Sequence, residues 1–257
     1  MNSPAKDLKI IVLASPYSHS QIVINSIRKV ADVFSIRIEN DYKRMNENRL
    51  KRHGILKGIG QKLFIKYSKM LTSKDEERIR EIIEKFNLDK TSTSPDLMIP
   101  DINDEKLIKT IQLENPDMVV LNCASIIPED VIDAVEPPII NIHAGITPMY
   151  RGLFGAYWAL REGNEHLIGS TIHVVDAGID TGDILKQVYF SVTPDDNFAS
   201  YSYLQMAHSL RGLHEVIDYY IKHNRLPDPI KSTLPSKLRS HPTLFGYLFH
   251  RIFRGIK

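Results

Sequence analysis

A strand–helix–strand pattern near the N-terminus is the feature that most limits what this chain can fold into. Leu8–Ala14 is a short apolar run with the length and composition of a buried strand. Apolar residues then recur at helical spacing from Ile22 to about Ala31, and Val33–Ile38 alternates like a second strand. Two strands that flank a helix at this spacing are typical of a βαβ unit, in which the strands lie parallel. The pattern therefore predicts an α/β fold with a mostly parallel sheet.

The rest of the chain continues this alternation of strands and helices. Short β-branched runs predict strands, and apolar residues three or four apart predict helices. The stretch 89–100 is rich in Ser, Thr, Pro and Asp and is predicted to be a loop. The predicted helices span roughly 56–70, 79–86, 104–114, 129–134, 154–161 and 197–224, and the predicted strands 118–121, 139–143, 169–175 and 184–190.

The composition is that of an ordinary globular protein, with 42% apolar and 25% charged residues in 257 positions. This length predicts one large domain, or one domain with an insertion and a tail. The net charge of +2 does not by itself indicate a nucleic-acid or membrane partner. A single cysteine, Cys123, excludes an internal disulfide framework and a multi-cysteine metal site. The N-terminus lacks the pattern of a signal peptide, and no apolar run approaches about 20 residues, so a cytoplasmic location is predicted.

Two basic segments depart from the α/β pattern. The first lies in a predicted helical insertion at about 40–95, where Lys57, Lys62, Lys66 and Lys69 alternate with apolar residues. The second is a tail at 231–257, which has six Lys or Arg and no Asp or Glu. Each segment either packs on the main domain (1–230) with a solvated cationic face, or contacts a membrane surface or polyanion. Both interpretations stay open.

The stretch Ile139–Gly152 carries the strongest signal for a functional site. A β-branched run ends there in Asn141 and His143, and the chain then turns through a glycine and a proline. Residues two apart in a strand point to the same side, so both side chains are predicted to face one pocket. The carboxyl ends of strands are also where open α/β folds place their ligands. An amide N–H and an imidazole N–H directed at one point are able to stabilise the oxyanion of an acyl transfer.

Asp180 is the predicted third member of this site, because it lies in a turn shortly after the strand at 169–175. A carboxylate beside His143 would keep the imidazole protonated and relay the proton lost by an attacking amine. The three residues together predict transfer of an acyl group to an amine, whereas an Asn-x-His pair on its own more often marks a structural histidine.

Several other kinds of site fit the sequence less well. The triplet at 180–182 matches that of aspartic proteases, but those proteins are all-β. Asp176 and Asp183 could join Asp180 around a hard cation, although both are typical turn residues. His166 and His173 lack a zinc-site spacing, and no nucleophile elbow is present. The turn after the first strand contains no glycine, which excludes a dinucleotide or Walker-type phosphate loop.

The motif order resembles the folate-dependent formyltransferase family. The resemblance is specific from about Pro116 to Gln187, weaker from Leu8 to Ile38, and absent from Asn40 to Pro95. The family includes glycinamide ribonucleotide, methionyl-tRNA and amino-sugar formyltransferases. The matching residues are Asn141, His143, Pro148, Arg151, Gly152, Gly169, Asp176, Gly178, Asp180 and Gly182.

This resemblance implies a doubly wound, Rossmann-like sheet that binds 10-formyltetrahydrofolate at its carboxyl edge, with no metal. Asn141 and His143 match the family's oxyanion-stabilising pair, and Asp180 matches its proton-relay aspartate. Two loops would hold the formyl donor. Their residues are Ala124, Ser125, Ile126 and Ile127 on one side and Ala177, Gly178 and Ile179 on the other.

The acceptor is predicted to be a small primary amine, and nucleic acid is not expected as a partner. Ser15–Ser20 lacks the glycine-containing phosphate turn of the glycinamide ribonucleotide enzymes, and the β-barrel domain of the methionyl-tRNA enzymes is not expected. Stand-alone enzymes acting on amino sugars are the most similar type, with Tyr17, Tyr150, Arg151 and Gly152 lining the acceptor side. Two alternatives stay open: glycinamide ribonucleotide as acceptor, and a non-catalytic formyltransferase-like module that binds a membrane or partner.

Overall fold

A seven-stranded sheet forms the centre of the described chain. The computed structural model describes residues 8–39, 54–123 and 125–257, apart from the side chains of 72–74. The strand order is β3-β2-β1-β4-β5-β7-β8, and two further short strands, β6 and β9, pair with each other. The strands are β1 (Lys9–Ala14), β2 (Asp32–Ile38), β3 (Leu97–Ile99), β4 (Met118–Asn122), β5 (Ile139–His143), β6 (Arg151–Gly152), β7 (Gly169–Val174), β8 (Ile184–Tyr189) and β9 (Leu238–Arg239).

Strand direction agrees with the predicted α/β class. Neighbouring strands from β3 through β2, β1 and β4 to β5 are all paired parallel. β7 pairs antiparallel with β5, and β8 pairs antiparallel with β7. The chain starts in the middle of the sheet and winds outward in both directions, as in doubly wound folds. The predicted fold class, a mostly parallel doubly wound sheet, is confirmed.

Helices cover both faces of this sheet. They are α1 (Ser18–Ile27), α2 (Ile55–Lys74), α3 (Glu76–Lys85), α4 (Lys106–Glu114), α5 (Glu129–Asp133), α6 (Gly155–Glu162), α7 (Phe198–His223) and α8 (Leu244–Arg254), with a 3₁₀ turn at Glu165–Leu167. Ile10 and Val12 of β1 pack in the core cluster that contains α1 and α7, while Ile11 and Leu13 pack in the cluster that contains α4 and α5. This alternation explains why β1 is apolar from Ile10 to Ala14, because both of its faces are buried.

Ser20 holds the turn between β1 and α1. For this helix Ser18 or Ser20 is the cap that the sequence predicts, but the N-cap position is Tyr17 and no side chain caps the helix. The Ser20 hydroxyl instead donates to the Asn122 carbonyl at 2.9 Å and accepts from the Ser15 N–H at 3.1 Å. It therefore ties the start of α1 to the end of β4. The other end of α1 is also earlier than predicted, at Ile27 rather than Ala31, because the last turn closes through a tighter bond from Val30 N–H to Ile27 O.

Helix α2 and the segment 231–257 form a small second core. Phe64 of α2 and Tyr247 of α8 are both fully buried, with ring centroids 5.2 Å apart. Tyr157 of α6 joins them, so this cluster connects both segments to the main domain. In addition, β9 pairs parallel with β6, placing Leu238 opposite Arg151. Residues 40–53 of the predicted insertion lie outside the described residues.

Within the described part of the chain, no helix combines the length and the apolar character needed to cross a bilayer.

Candidate functional site

A cleft of about 1060 Å³ opens at the carboxyl edge of the parallel strands. The ends of β4 and β5 form its floor, at Asn122 and at Asn141 to His143. The loop after β7 closes one side, and α2 and β9 contribute to another. The cleft therefore lies where doubly wound folds hold ligands, as the sequence analysis predicted for Asn141 and His143.

The structure brings Asn141, His143 and Asp180 together at this floor. The Oδ1 atom of Asp180 lies 3.3 Å from Nδ2 of Asn141 and 3.3 Å from Nδ1 of His143. The other carboxylate oxygen accepts the backbone N–H of Gly152 at 2.8 Å. Asp180 thus contacts the end of β5 with one oxygen and β6 with the other.

Asp180 adopts an uncommon backbone conformation, with φ of +51°. Aspartate is one of the few residues with a side chain that occupies this left-handed region often, at a cost of about 1–3 kcal/mol. The turn before it is fixed by Asp176, whose carboxylate accepts from Gly178 N–H and from the Thr181 hydroxyl. Asp176 is therefore a turn-forming residue, as predicted.

Both ring nitrogens of His143 face oxygen atoms that can only accept. Nε2 lies 2.7 Å from the carbonyl oxygen of Tyr150, and Nδ1 lies beside the Asp180 carboxylate. Each nitrogen must carry a proton to donate in this geometry, so the arrangement favours the imidazolium form. The close approach of the Tyr150 carbonyl requires glycine at 145, because a Cβ there would lie 2.3 Å from that oxygen.

The electrostatics of the pair agree with this protonation state. Burial by itself lowers the pKa of His143, but the Asp180 carboxylate and the Tyr150 carbonyl together outweigh it, so the pKa lies above the ordinary value of 6.5. Burial raises the pKa of Asp180, whereas the charge and hydrogen bond of His143, together with the Gly152 N–H, lower it by more, and the net pKa lies well below 3.8. Asp180 is ionised and His143 is charged over the pH range between these two ordinary values.

This geometry corrects one detail of the predicted oxyanion site. The sequence analysis expected a free N–H from His143 beside the amide of Asn141. Since both N–H groups of His143 are occupied, its ring can act on a nearby anion through its positive charge. Asn141 has two amide N–H groups, which contact Asp180 and His173, and either one is able to turn toward an arriving oxygen.

His173 is a member of the site that the sequence analysis did not identify. It lies on β7 directly opposite Asn141 on β5, and its Nε2 is 3.1 Å from the Asn141 amide nitrogen. Its Nδ1 donates to the carbonyl of Val174 at 2.7 Å, which leaves Nε2 free to accept from Asn141. The ring therefore orients the amide. The only signal in the sequence was an inward-facing polar residue within a buried strand.

The loops expected to hold the formyl donor border the same cleft. Ser125, Ile126 and Ile127 lie on one side, and Ala177, Gly178 and Ile179 lie on the other. Ile126 exposes 46% of its surface, so an apolar side chain is available to a ligand there. Ala124, which was predicted with them, lies outside the described residues.

Only some of the residues expected on the acceptor side line the cleft. Tyr17, 53% exposed, and Gly152 line the cleft. Tyr150 does not, because its side chain is 1% exposed and its hydroxyl bonds to Glu162 and Asn164 in the core. Its contribution to the site is the backbone carbonyl instead. Arg151 also turns away from a ligand role, since its guanidinium donates to the Ile179 carbonyl at 3.2 Å and supports the loop that carries Asp180.

Residues from α2 and β9 complete the wall on this side, and the sequence analysis did not assign them to the site. Lys57 and Gln61 come from α2, and Arg239 and His241 come from the segment 231–257. Gln61 is fully buried and donates to Ser240 Oγ at 3.1 Å and to His241 O at 2.8 Å. Sequence alone gave no distance between these two segments, so their meeting at the cleft was not predictable.

Among the described residues, no group of three or more His, Cys, Asp or Glu side chains is placed to hold a metal ion.

An amide, an imidazole and a carboxylate meet at the carboxyl edge of a mostly parallel α/β sheet. This combination defines a class of protein with a site suited to acyl transfer. Residues 57–216 match the family model described as formyl transferase, and the chain belongs to that family. The match includes residues 57–95, where the sequence analysis expected no resemblance.

Individual relatives agree with this assignment. A methionyl-tRNA formyltransferase from Thermodesulfovibrio yellowstonii is 35% identical over 97 residues, which is 37% of this chain and 31% of that protein. The matched stretch thus spans about a third of that curated relative's length. A sugar N-formyltransferase from a Shewanella species has a TM-score of 0.57 at 16% identity, covering 91% of this chain and 77% of that one. HypX from Aquifex aeolicus in complex with tetrahydrofolic acid has a TM-score of 0.53 at 15% identity, covering 91% and 30%. At these identities the two structural matches establish the fold alone.

Proposed function

We propose that this protein is an N-formyltransferase that moves the formyl group of 10-formyltetrahydrofolate to a primary amine of an amino sugar or similar small molecule. The observation that carries the proposal is the contact of Asp180 with both Asn141 and His143 at the floor of a ligand-sized cleft. Family membership supplies the reaction type, and the cluster supplies the groups that this reaction needs.

The cleft fits a folate-type donor. A flat ring system needs apolar contact on its faces and backbone groups at its edges, and Ile126, Ile127 and the backbone of Ala177–Ile179 offer both. The HypX protein with bound tetrahydrofolic acid has the same fold. When bound, the donor supplies an electrophilic formyl carbon. Ser125–Ile127 and Ala177–Ile179 would hold it against the floor of the cleft.

The catalytic roles follow from the protonation states. As negative charge develops on the formyl oxygen, the Asn141 amide donates a hydrogen bond to it and the His143 imidazolium stabilises it by charge. Asp180 keeps His143 protonated and accepts the proton that the attacking amine loses. The proton would then pass to the nitrogen of tetrahydrofolate as the bond between that nitrogen and the formyl carbon breaks. His173 accepts one amide N–H of Asn141 at 3.1 Å, and the other N–H, whose contact with Asp180 is longer at 3.3 Å, is the one that would turn toward the formyl oxygen.

Two features support a small-molecule acceptor. The cleft of about 1060 Å³ lies at the upper end of the roughly 300–1,000 Å³ of ligand sites, which suits a large donor with a small acceptor beside it. Lys57 on its wall is exposed, and an ammonium group suits the hydroxyl and phosphate oxygens of a sugar derivative. The Shewanella sugar N-formyltransferase has this fold as well.

The proposal is tested by measuring tetrahydrofolate release from 10-formyltetrahydrofolate with a panel of amino-sugar nucleotides, free amino sugars and glycinamide ribonucleotide. We expect one amino-sugar class to be formylated, and Asn141→Ala to lower kcat by about 10²–10³-fold, the loss typical of one oxyanion donor. Asn25→Ala is the matched control, since Asn25 is a buried amide that bonds to Asp89 O and Thr91 O away from the cleft. Equal turnover in wild type and Asn141→Ala would exclude this mechanism, and transfer to glycinamide ribonucleotide alone would exclude the acceptor.

A further inference from the structure

Helix α8 carries a stripe of apolar side chains that points away from the protein. Phe245, Phe249, Ile252 and Phe253 are spaced four, three and one residues apart, which places them on one side of a helix. Their side chains are exposed by 75%, 55%, 70% and 72% of their surface. We refer to these four residues as the α8 stripe.

The opposite side of α8 already holds the helix in place. Tyr247 is fully buried, and its hydroxyl accepts from the Arg251 guanidinium at 2.9 Å. Thr243 caps the N-terminus by accepting from the Gly246 N–H at 3.2 Å. Because the inner side and the cap fix the helix, the α8 stripe is not needed for packing within the described part of the chain.

Exposed aromatic residues in a continuous row are unusual on a protein surface. Single exposed apolar residues are common, but contiguous apolar patches mark contact surfaces. For comparison, Leu113 on α4 is 82% exposed but is the only residue of that helix among the large exposed apolar side chains of the described chain. The α8 stripe therefore differs from scattered exposure by its length and continuity.

The charged residues of the segment that carries the α8 stripe are all positive. Residues 231–257 contain no Asp or Glu. Arg254 donates to the Arg161 carbonyl and Lys257 to the Pro194 carbonyl, and neutral partners leave the charge of both side chains uncompensated. No carboxylate within the described chain forms an ion pair with Arg251, Arg254 or Lys257.

The neighbouring helix extends this positive surface. α2 packs against α8, and it carries Lys62, Lys66 and Lys69 together with the exposed Ile59 and Leu63. A second copy of this chain would bring two such surfaces together and repel. A soluble polyanion would pair with the cationic side chains but leave the aromatic rings in water. An anionic lipid surface accommodates the cations and the rings together, because apolar side chains enter the acyl boundary while cations contact the headgroups.

We propose that α8 is a peripheral membrane-docking helix, which lies in the interface of an anionic bilayer with the α8 stripe turned toward the lipid. Binding is reversible, since the helix has only 11 residues and supplies four apolar side chains. The docking surface is separate from the residues proposed to carry out formyl transfer, so either proposal can fail without the other.

Sedimentation with lipid vesicles tests this proposal on the full chain. We expect wild type to bind vesicles of phosphatidylcholine with about one third phosphatidylglycerol, to bind pure phosphatidylcholine much less, and to dissociate as salt is raised. The double variant Phe249→Ser, Phe253→Ser should bind the vesicles at least about tenfold more weakly than wild type, because two large apolar side chains no longer enter the bilayer. Leu113→Ser is the matched control and should bind like wild type. Circular dichroism and Tm verify that each variant is folded.

Three results would overturn the proposal. The first is no binding of wild type to anionic vesicles at low salt. The second is unchanged vesicle binding by the double variant, since a purely cationic contact would survive the loss of both rings. The third is a wild-type dimer in sedimentation equilibrium that the double variant abolishes, without vesicle binding, because the α8 stripe would then be a self-association surface.

Discussion

At the residue scale, the Asp180 carboxylate determines the chemical state of the site. One oxygen lies between Asn141 and His143, and the other accepts the Gly152 N–H. A buried carboxylate with fewer partners would take up a proton, but these contacts hold its pKa well below 3.8. The same charge raises the pKa of His143. Asp180 therefore sets both the orientation and the protonation of the groups around it.

Replacing Asp180 by Asn is expected to lower kcat for formyl transfer by about 10²–10⁴-fold, because the proton acceptor and the counter-charge of His143 are both lost. The pKa of His143 should fall as well, since burial would then act without its main opposing contact. Steady-state kinetics and an NMR titration of the His143 ring measure the two effects. Asp176→Asn is the control, because that carboxylate caps a turn and should leave the His143 titration unchanged. Identical titrations in all three proteins would contradict the assignment.

Stability should also depend on pH through this pair. Asp180 has a lowered pKa, so its contribution is present above about 3.8 and is lost as pH falls below that value. His143 has a raised pKa, so its contribution is complete below 6.5 and is lost as pH rises through the folded-state value. The Tm difference between wild type and Asp180→Asn should therefore be largest between these two values and smaller on either side. A difference that is constant from pH 3 to pH 9 would show that the pair is not ionised as described.

At the element scale, the short strand β6 links the site to the segment 231–257. Gly152 has a φ of +87°, and a Cβ at this position would lie 2.2 Å from the Arg239 carbonyl oxygen. Its own N–H is the donor to Asp180. A glycine is required here for two reasons, since the backbone conformation is left-handed and β9 approaches closely.

The substitution Gly152→Ala should therefore destabilise the protein and reduce activity together. We expect the free energy of unfolding to fall by well over the roughly 1–2 kcal/mol that left-handed strain alone costs, because the methyl group also forces β9 away. Gly163→Ala separates the two effects, as Gly163 has a φ of +74° and an added methyl group there would have no neighbour within 4 Å. Urea denaturation of both variants gives the comparison. Equal losses of unfolding free energy in the two variants would show that the close approach of β9 to Gly152 adds nothing to the cost.

Elements with strong local patterns were predictable from the sequence, and those fixed by distant partners were not. The apolar runs of β1 and β4 and the repeat of α7 are local, and their predicted and observed limits nearly coincide. β3 has three residues and β9 has two, so neither shows a period of its own; each exists because a neighbouring strand pairs with it. The pairing partner, rather than the segment itself, determines such strands.

The same distinction applies to the site. Asn141, His143 and Asp180 were identified because two of them share a strand and the third follows one. His173 was missed because its place opposite Asn141 depends on the register between β5 and β7, which run antiparallel. Tyr150 was misplaced because a residue next to the motif can contribute its backbone while its side chain packs in the core. Sequence motifs locate strand ends but do not give side-chain directions beyond them.

At the scale of the whole molecule, the cleft joins the strand ends of the sheet to two segments, α2 and 231–257, that were not predicted to reach it. Gln61 of α2 donates to Ser240 and His241, so the two segments hold each other at the rim. The aromatic cluster of Phe64, Tyr157 and Tyr247 lies beneath that contact. The shape of the acceptor wall therefore depends on this junction more than on the sheet.

Gln61→Leu should raise KM for the acceptor severalfold with little change in kcat, because losing two hydrogen bonds of about 1 kcal/mol each loosens the rim but leaves Asp180 in place. Kinetics at saturating donor measure the two parameters separately. Gln112→Leu is the control, since Gln112 is exposed and donates to the Ala134 carbonyl far from the cleft. A fall in kcat with unchanged KM would indicate that the rim acts on the chemistry instead.

The pairing of β9 with β6 also bears on how the chain matures during translation. Strands β1 to β8 all precede residue 190, so the ribosome releases a complete sheet long before β9 emerges. Nascent domains fold as soon as their strands are available. We therefore expect a translation intermediate with the polar cluster assembled and one side of the cleft open. Leu238 and Arg239 then pair with β6 and add the last wall, so the binding site becomes whole only after the segment that carries β9 has emerged.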